Sequence, residues 1–181
     1  MQQKEVATKT SCYHCGDECV NDFIAIGDKV FCCEGCKLVF EILEENNLCT
    51  YYNLQDKPGI KVEPLTGNRF SFLDETSIQQ KLISFKNKNE VHITFHIPSI
   101  HCSSCIWLLE NLNRINQGVI RSQVNFGRKE TMIYYNPESL SLRKLVEMLA
   151  AIGYEPVINL NDLENKVRKK ADRSQVYKIG V

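Results

Sequence analysis

Residues 91–98 read Val-His-Ile-Thr-Phe-His-Ile-Pro. Val91, Ile93, Phe95 and Ile97 alternate with His92, Thr94 and His96, the period of two expected of a strand with one buried face. Pro98 stops it. Beyond it, Leu108, Leu109, Leu112 and Ile115 follow helical spacing from Ser103, and Gly118 closes that helix. Val119 to Phe126 reads as a second strand, followed by a turn at Gly127-Arg128-Lys129. Thr131, Ile133 and Tyr135 alternate again until Asn136-Pro137. Ser141 can cap a second helix whose apolar stripe is Leu142, Leu145, Val146 and Leu149. Gly153 ends it, and Tyr154 to Ile158 is short and strand-like. The order of elements is βαββαβ.

That order packs as a split βαβ, a ferredoxin-like sandwich with helices on one face of the sheet, so the predicted fold class is α+β. Four segments follow from the punctuation of the chain. Residues 12–49 hold seven of the nine cysteines and form a small Cys-rich module. Residues 50–90 connect, with turn signals at Lys57-Pro58-Gly59 and Thr66-Gly67-Asn68. Within them a short helix is predicted from Asp74 to Phe85, with Ile78, Leu82, Ile83 and Phe85 as its apolar positions. Residues 91–160 carry the βαββαβ unit, and residues 161–181 form a basic, helix-compatible tail.

The 181 residues suffice for one ordinary domain or two small ones. Net charge is zero, which argues against a dedicated nucleic-acid binder. The charge is uneven: residues 1–50 carry nine acidic and four basic side chains, whereas residues 161–181 carry three and six. Nine cysteines are an odd number, and no apolar leader precedes them. Reduced, metal-binding thiolates therefore fit better than a disulfide framework. No run approaches the ~20 apolar residues of a transmembrane helix.

Two cysteine patterns carry chemistry. His101-Cys102-Ser103-Ser104-Cys105 places a CxxC at a strand-to-helix junction. Two intervening residues let both sulfurs face one point, and the free N–H groups of a helix start favour thiolate. Two soft thiolates suit a soft monovalent cation such as Cu(I) and leave it open to ligand exchange. The second pattern is Cys12-x2-Cys15 followed by Cys32-x3-Cys36, enough for a closed tetrahedral Zn(II) site. Cys33-x2-Cys36 is an equally regular pair, and His14 can substitute for a thiol. Cys19 and Cys33 exceed four ligands and leave a metal relay open beside a scaffolding zinc. So short a region has little core, so metal would supply much of its stability.

The CxxC on the first loop of a βαββαβ unit resembles the heavy-metal-associated (HMA) domain family over residues 91–160, including Gly153-Tyr154, where that family often places an aromatic beside the metal loop. Its usual Met two residues before the first cysteine is Ile100 here. The paired spacing of Cys12, Cys15, Cys32 and Cys36 resembles treble-clef zinc modules, and more closely the Cys-rich segment before the HMA domain of some copper ATPases. The whole order resembles the amino-terminal region of copper-transporting P1B-type ATPases. This resemblance implies a regulatory or copper-passing domain at the cytoplasmic face of the cell membrane. It would bind Cu(I) at Cys102 and Cys105, and zinc or copper at Cys12, Cys15, Cys32 and Cys36. It further implies a copper chaperone or other Cu(I) donor as partner, together with the pump's remaining membrane and ATP-binding domains. The phosphorylation and nucleotide motifs of such pumps do not occur in this sequence, so the chain is expected not to be an enzyme by itself. Two other classes compete: a thiol–disulfide oxidoreductase using the same CxxC, and a zinc-scaffolded interaction module.

Overall fold

The computed structural model describes residues 10–19, 24–62 and 67–159; the predicted basic helix of residues 161–181 lies outside them. The architecture is α+β with antiparallel sheets. A small hairpin, β1 (Ile24–Ile26) and β2 (Lys29–Phe31), leads into α1 (Glu34–Glu45) and then α2 (Thr50–Leu54). After a 3-10 turn at Ser71–Asp74 come α3 (Thr76–Leu82) and β3 (Ile83–Lys86). The second half runs β4 (Val91–His96), α4 (Ser103–Glu110), α5 (Leu112–Ile115), β5 (Val119–Asn125), β6 (Glu130–Tyr135) and α6 (Leu142–Ala151). The larger sheet has the order β3-β4-β6-β5, each neighbour antiparallel.

Alternation in β4 does what its sequence requires. Val91, Ile93 and Phe95 are buried while Thr94 and His96 are exposed. They meet Leu108, Leu109 and Leu112 of the α4–α5 pair and Leu142, Leu145, Val146 and Leu149 of α6, all buried in one core. Each such side chain stabilises the fold by ~1.5–3 kcal/mol through the surface it removes from water. Ser141 caps α6, its hydroxyl accepting from the Lys144 N–H at 3.2 Å. The same core takes in Val39, Leu43, Leu48 and Tyr51 from the first third of the chain and Leu73 from the connecting segment. A smaller cluster, Cys12, Phe31, Cys36 and Phe40, sits under the hairpin.

Two expected elements differ. The helix predicted from Asp74 to Phe85 begins at Thr76 and stops at Leu82, and Ile83 to Lys86 is a strand. Asn87 supplies the reason: its side-chain oxygen accepts from the N–H groups of Asn89 and Glu90 at 2.8 and 2.7 Å. That tight turn folds β3 back on β4, pairing Ile83 with Ile93 and Lys86 with Val91. The strand predicted at Tyr154 to Ile158 is reduced to one bridge, His96 with Val157. A hairpin partner next door in sequence takes the edge of β4, and Pro156 has no N–H to add to a ladder.

Candidate metal centre

Cys12 and Cys15 lie on a loop tied to the hairpin by the Tyr13 N–H, which donates to the Val30 carbonyl at 2.7 Å. Cys32 follows β2 directly, and Cys36 is in the first turn of α1. Three sulfur pairs, Cys15–Cys32, Cys32–Cys36 and Cys15–Cys36, are each 3.7 Å apart. With Cys12 they form one group in which all four donor atoms lie within 4.8 Å of one another. Four thiolates around zinc at metal–sulfur distances near 2.3 Å stand about 3.8 Å apart, so this donor set fits a tetrahedral thiophilic ion.

Of the alternatives left open by sequence, Cys33 stands outside this group, 3.9 Å from the Cys32 sulfur, with its own S–H directed at the Val62 carbonyl at 4.0 Å. His14 is not a member either. Its ring is buried, with Nδ1 bonded to the Tyr52 hydroxyl at 2.9 Å. Burial lowers its pKa to about 4, so the ring is neutral. Burial also raises the thiols of Cys15, Cys32 and Cys36 above their ordinary value. At Cys12 burial pushes upward as well, but backbone N–H groups of Cys15, Cys32 and His14 outweigh it and hold the thiol low. Such a group releases protons when an ion binds. Around it pack Tyr13, Phe31, Phe40 and Tyr52, neighbouring ring centroids 5.0–6.3 Å apart, with the Lys29 ammonium 5.3 Å from the Tyr13 ring centre.

The second group forms at the start of α4. Cys102 is its N-cap, with the sulfur accepting from the Cys105 N–H at 3.4 Å. The Cys102 and Cys105 sulfurs converge to 2.9 Å, and the Cys105 sulfur lies 3.6 Å from Nδ1 of His101. His101, Cys102 and Cys105 thus share one potential coordination point. Sequence reasoning named His101 only as a flanking residue; its place directly before the CxxC was the available signal. The open, exchangeable pair expected from sequence is instead covered. Cys102 is 8% exposed and Cys105 is fully buried. The helix start does point N–H groups at Cys102, yet burial and the neighbouring Cys105 thiol outweigh them and raise its pKa.

Two tyrosines stand beside the pair. Tyr154, the aromatic anticipated beside the metal loop, is fully buried near Cys105. Its hydroxyl lies 3.1 Å from that of Tyr51 on α2, and Tyr51 donates to the Pro58 carbonyl at 3.0 Å. Since Tyr51 has only one proton, Tyr154 is the donor to it. Tyr51 carried no pattern that marked it in the sequence, and of residues 58–62 only Pro58 and Gly59 were marked, as part of a turn signal.

Two thiol groups, each poised at a helix start and each able to hold a soft ion, define a metal-binding region. Comparisons place it more narrowly. Residues 11–87 match the family described as "Putative metal-binding domain of cation transport ATPase". The chain is 31% identical over 87 residues to the copper-exporting P-type ATPase of Bacillus subtilis (strain 168), covering 47% of this chain and 11% of that protein. It is 25% identical over 103 residues to the copper-transporting ATPase HMA5 of Oryza sativa subsp. japonica, covering 55% of this chain and 10% of that one. No solved structure matches it. Over residues 11–87 the chain is thus similar to a metal-binding domain of cation-transport ATPases, and its matches span about a tenth of the length of each of these relatives. No helix among the described residues is long and apolar enough to cross a membrane.

Proposed function

We propose that this chain is the cytosolic, amino-terminal metal-handling part of a copper pump, with Cu(I) as cargo at Cys102 and Cys105 and Zn(II) as structural ion at Cys12, Cys15, Cys32 and Cys36. The observation that carries this reading is the convergence of the Cys102 and Cys105 sulfurs on one point at the N-terminus of α4. Two thiolates match the softness of Cu(I), and a donor number of two or three leaves room for an incoming thiol. Four sulfurs at tetrahedral spacing instead saturate an ion and suit Zn(II). In this reading residues 91–160 are an HMA-like, ferredoxin-type unit, and residues 12–49 a treble-clef-like module of knuckle, hairpin and helix. A chaperone or another Cu(I) donor delivers the ion, and the rest of the transporter, beyond a basic segment at residues 161–181 near the cytoplasmic face, receives it or is regulated by it.

Cu(I) titration against a chromophoric competitor tests the assignment. Wild type is expected to bind one Cu(I) beyond its zinc, and the Cys102→Ser/Cys105→Ser double variant none. Full copper stoichiometry in the double variant would sink the assignment. The close approach of the two sulfurs also favours a second reading, a thiol–disulfide oxidoreductase. That reading requires turnover of a disulfide substrate and a potential in the oxidoreductase range.

A further inference from the structure

Residues 58–62 touch both thiol regions. On one side, Lys57 donates to the Ser11 hydroxyl at 2.6 Å and Lys61 pairs with Asp17 at 3.7 Å. The Gly59 N–H donates to the His14 carbonyl at 2.9 Å, and a Cβ on Gly59 would collide with the His14 ring. Val62 presents its carbonyl to the Cys33 sulfur, and a Cβ on Gly35 would collide with that same carbonyl. On the other side, Ile60 and Val62 lie against Gly153, next to Tyr154, where a Cβ would approach them at 3.4 and 3.3 Å. Pro58 accepts from Tyr51, which in turn holds Tyr154 over Cys105. The strap is thus stitched to the Cys-rich module and seated on the end of the second region that bears the CxxC.

We propose that Tyr51 and residues 58–62 form a self-closing clasp over Cys102 and Cys105, held shut by the four-cysteine module, so that the pair accepts a thiophilic ion only after the clasp opens. The proposal rests on the reading above for the nature of the ion, but the clasp itself stands on geometry. A bound ion also demands movement at the sulfurs. Two thiolates on opposite sides of an ion at about 2.3 Å each stand about 4.6 Å apart, well beyond the 2.9 Å between Cys102 and Cys105. Tyr154 stands beside Cys105 and is tied to Tyr51, so the sulfurs can spread only once the clasp has opened.

The test is thiol accessibility in the full, zinc-loaded chain, followed by N-ethylmaleimide labelling and peptide mapping. Cys49, which is exposed, serves as the internal reference. In wild type, Cys102 is expected to react at least about tenfold more slowly than Cys49, as for a site that reacts only through local opening. Gly59→Ala, which drives the strap off His14, is expected to raise the Cys102 rate about tenfold. Tyr51→Phe, which keeps the packing and removes only the hydroxyl link to Pro58 and Tyr154, is expected to raise it about threefold. Cys49 stays unchanged in both. A wild-type Cys102 that reacts as fast as Cys49, or a rate unmoved by both variants with circular dichroism intact, overturns the clasp. Cu(I) titration of the same samples separates the two ideas. Clasp-dependent labelling without Cu(I) binding at the pair overturns the copper assignment alone; Cu(I) binding with clasp-independent labelling overturns the clasp alone.

Discussion

The four-cysteine group and the Cys102/Cys105 pair are alike in local construction, since each begins on a loop and ends in the first turn of a helix. Their surroundings are not alike. Around the first, the buried apolar cluster is Cys12, Phe31, Cys36 and Phe40, so two of its four members are themselves ion donors. Around the second lies the larger core of β4, β6, α4 and α6, joined by Val39 and Leu43 of α1 and by Leu48 and Tyr51, in which the two cysteines are minor members. With so few apolar contacts beside the loop and hairpin, a bound ion would supply much of their stability. A pair set in that larger core is expected to gain or lose an ion without unfolding its surroundings. The difference lies less in the thiols than in whether anything besides metal holds the backbone around them.

The largest expected effect tests the dependence of the first region. Cys36→Ser, or stripping any bound ion with a strong chelator, should abolish protease resistance around Cys12, Cys15 and Cys32 and lower the melting midpoint by roughly 10 °C. If the variant keeps its zinc and its midpoint by metal analysis and calorimetry, the contrast fails. Next in size, Leu145→Ala should cost 2–5 kcal/mol in denaturant unfolding, because it empties a fully buried site in the second core, while zinc content stays at one ion. Smaller again, Cys102→Ala/Cys105→Ala should cost about 1–2 kcal/mol and leave the zinc in place; a loss as large as that of Cys36→Ser would mean the second pair is also structural. The smallest is Ser141→Ala at the cap of α6, about 1 kcal/mol by denaturant unfolding, with copper and zinc binding unmoved.

Much of the second region was legible because its signals are periodic and local. Val91 to Ile97, the leucines of α4 and α6, and the cap at Ser141 follow from side-chain spacing alone. The edge of the sheet was not legible in the same way. Ile83 and Phe85 fit a helix stripe as readily as a strand, and only the Asn87 turn, which brings them beside β4, settles which forms. At the first group, spacing offered Cys12, Cys15, Cys32 and Cys36, with Cys33 and His14 as substitutes and Cys19 in excess. Packing then separated them, since Cys33 turns toward Val62 and His14 toward Tyr52.

Sequence by itself determined that thiols occur in two sets, one of closed-cage number and one a pair at a helix start, and that the chain is of the α+β class. Those properties depend on residue identity and short-range spacing, which a chain carries whatever its tertiary fold. Only the tertiary structure decided that the pair is buried with Tyr154 beside Cys105 and Tyr51 bonded to Tyr154, because these residues are far from the pair along the chain. They meet through packing and hydrogen bonds between segments that no local pattern connects.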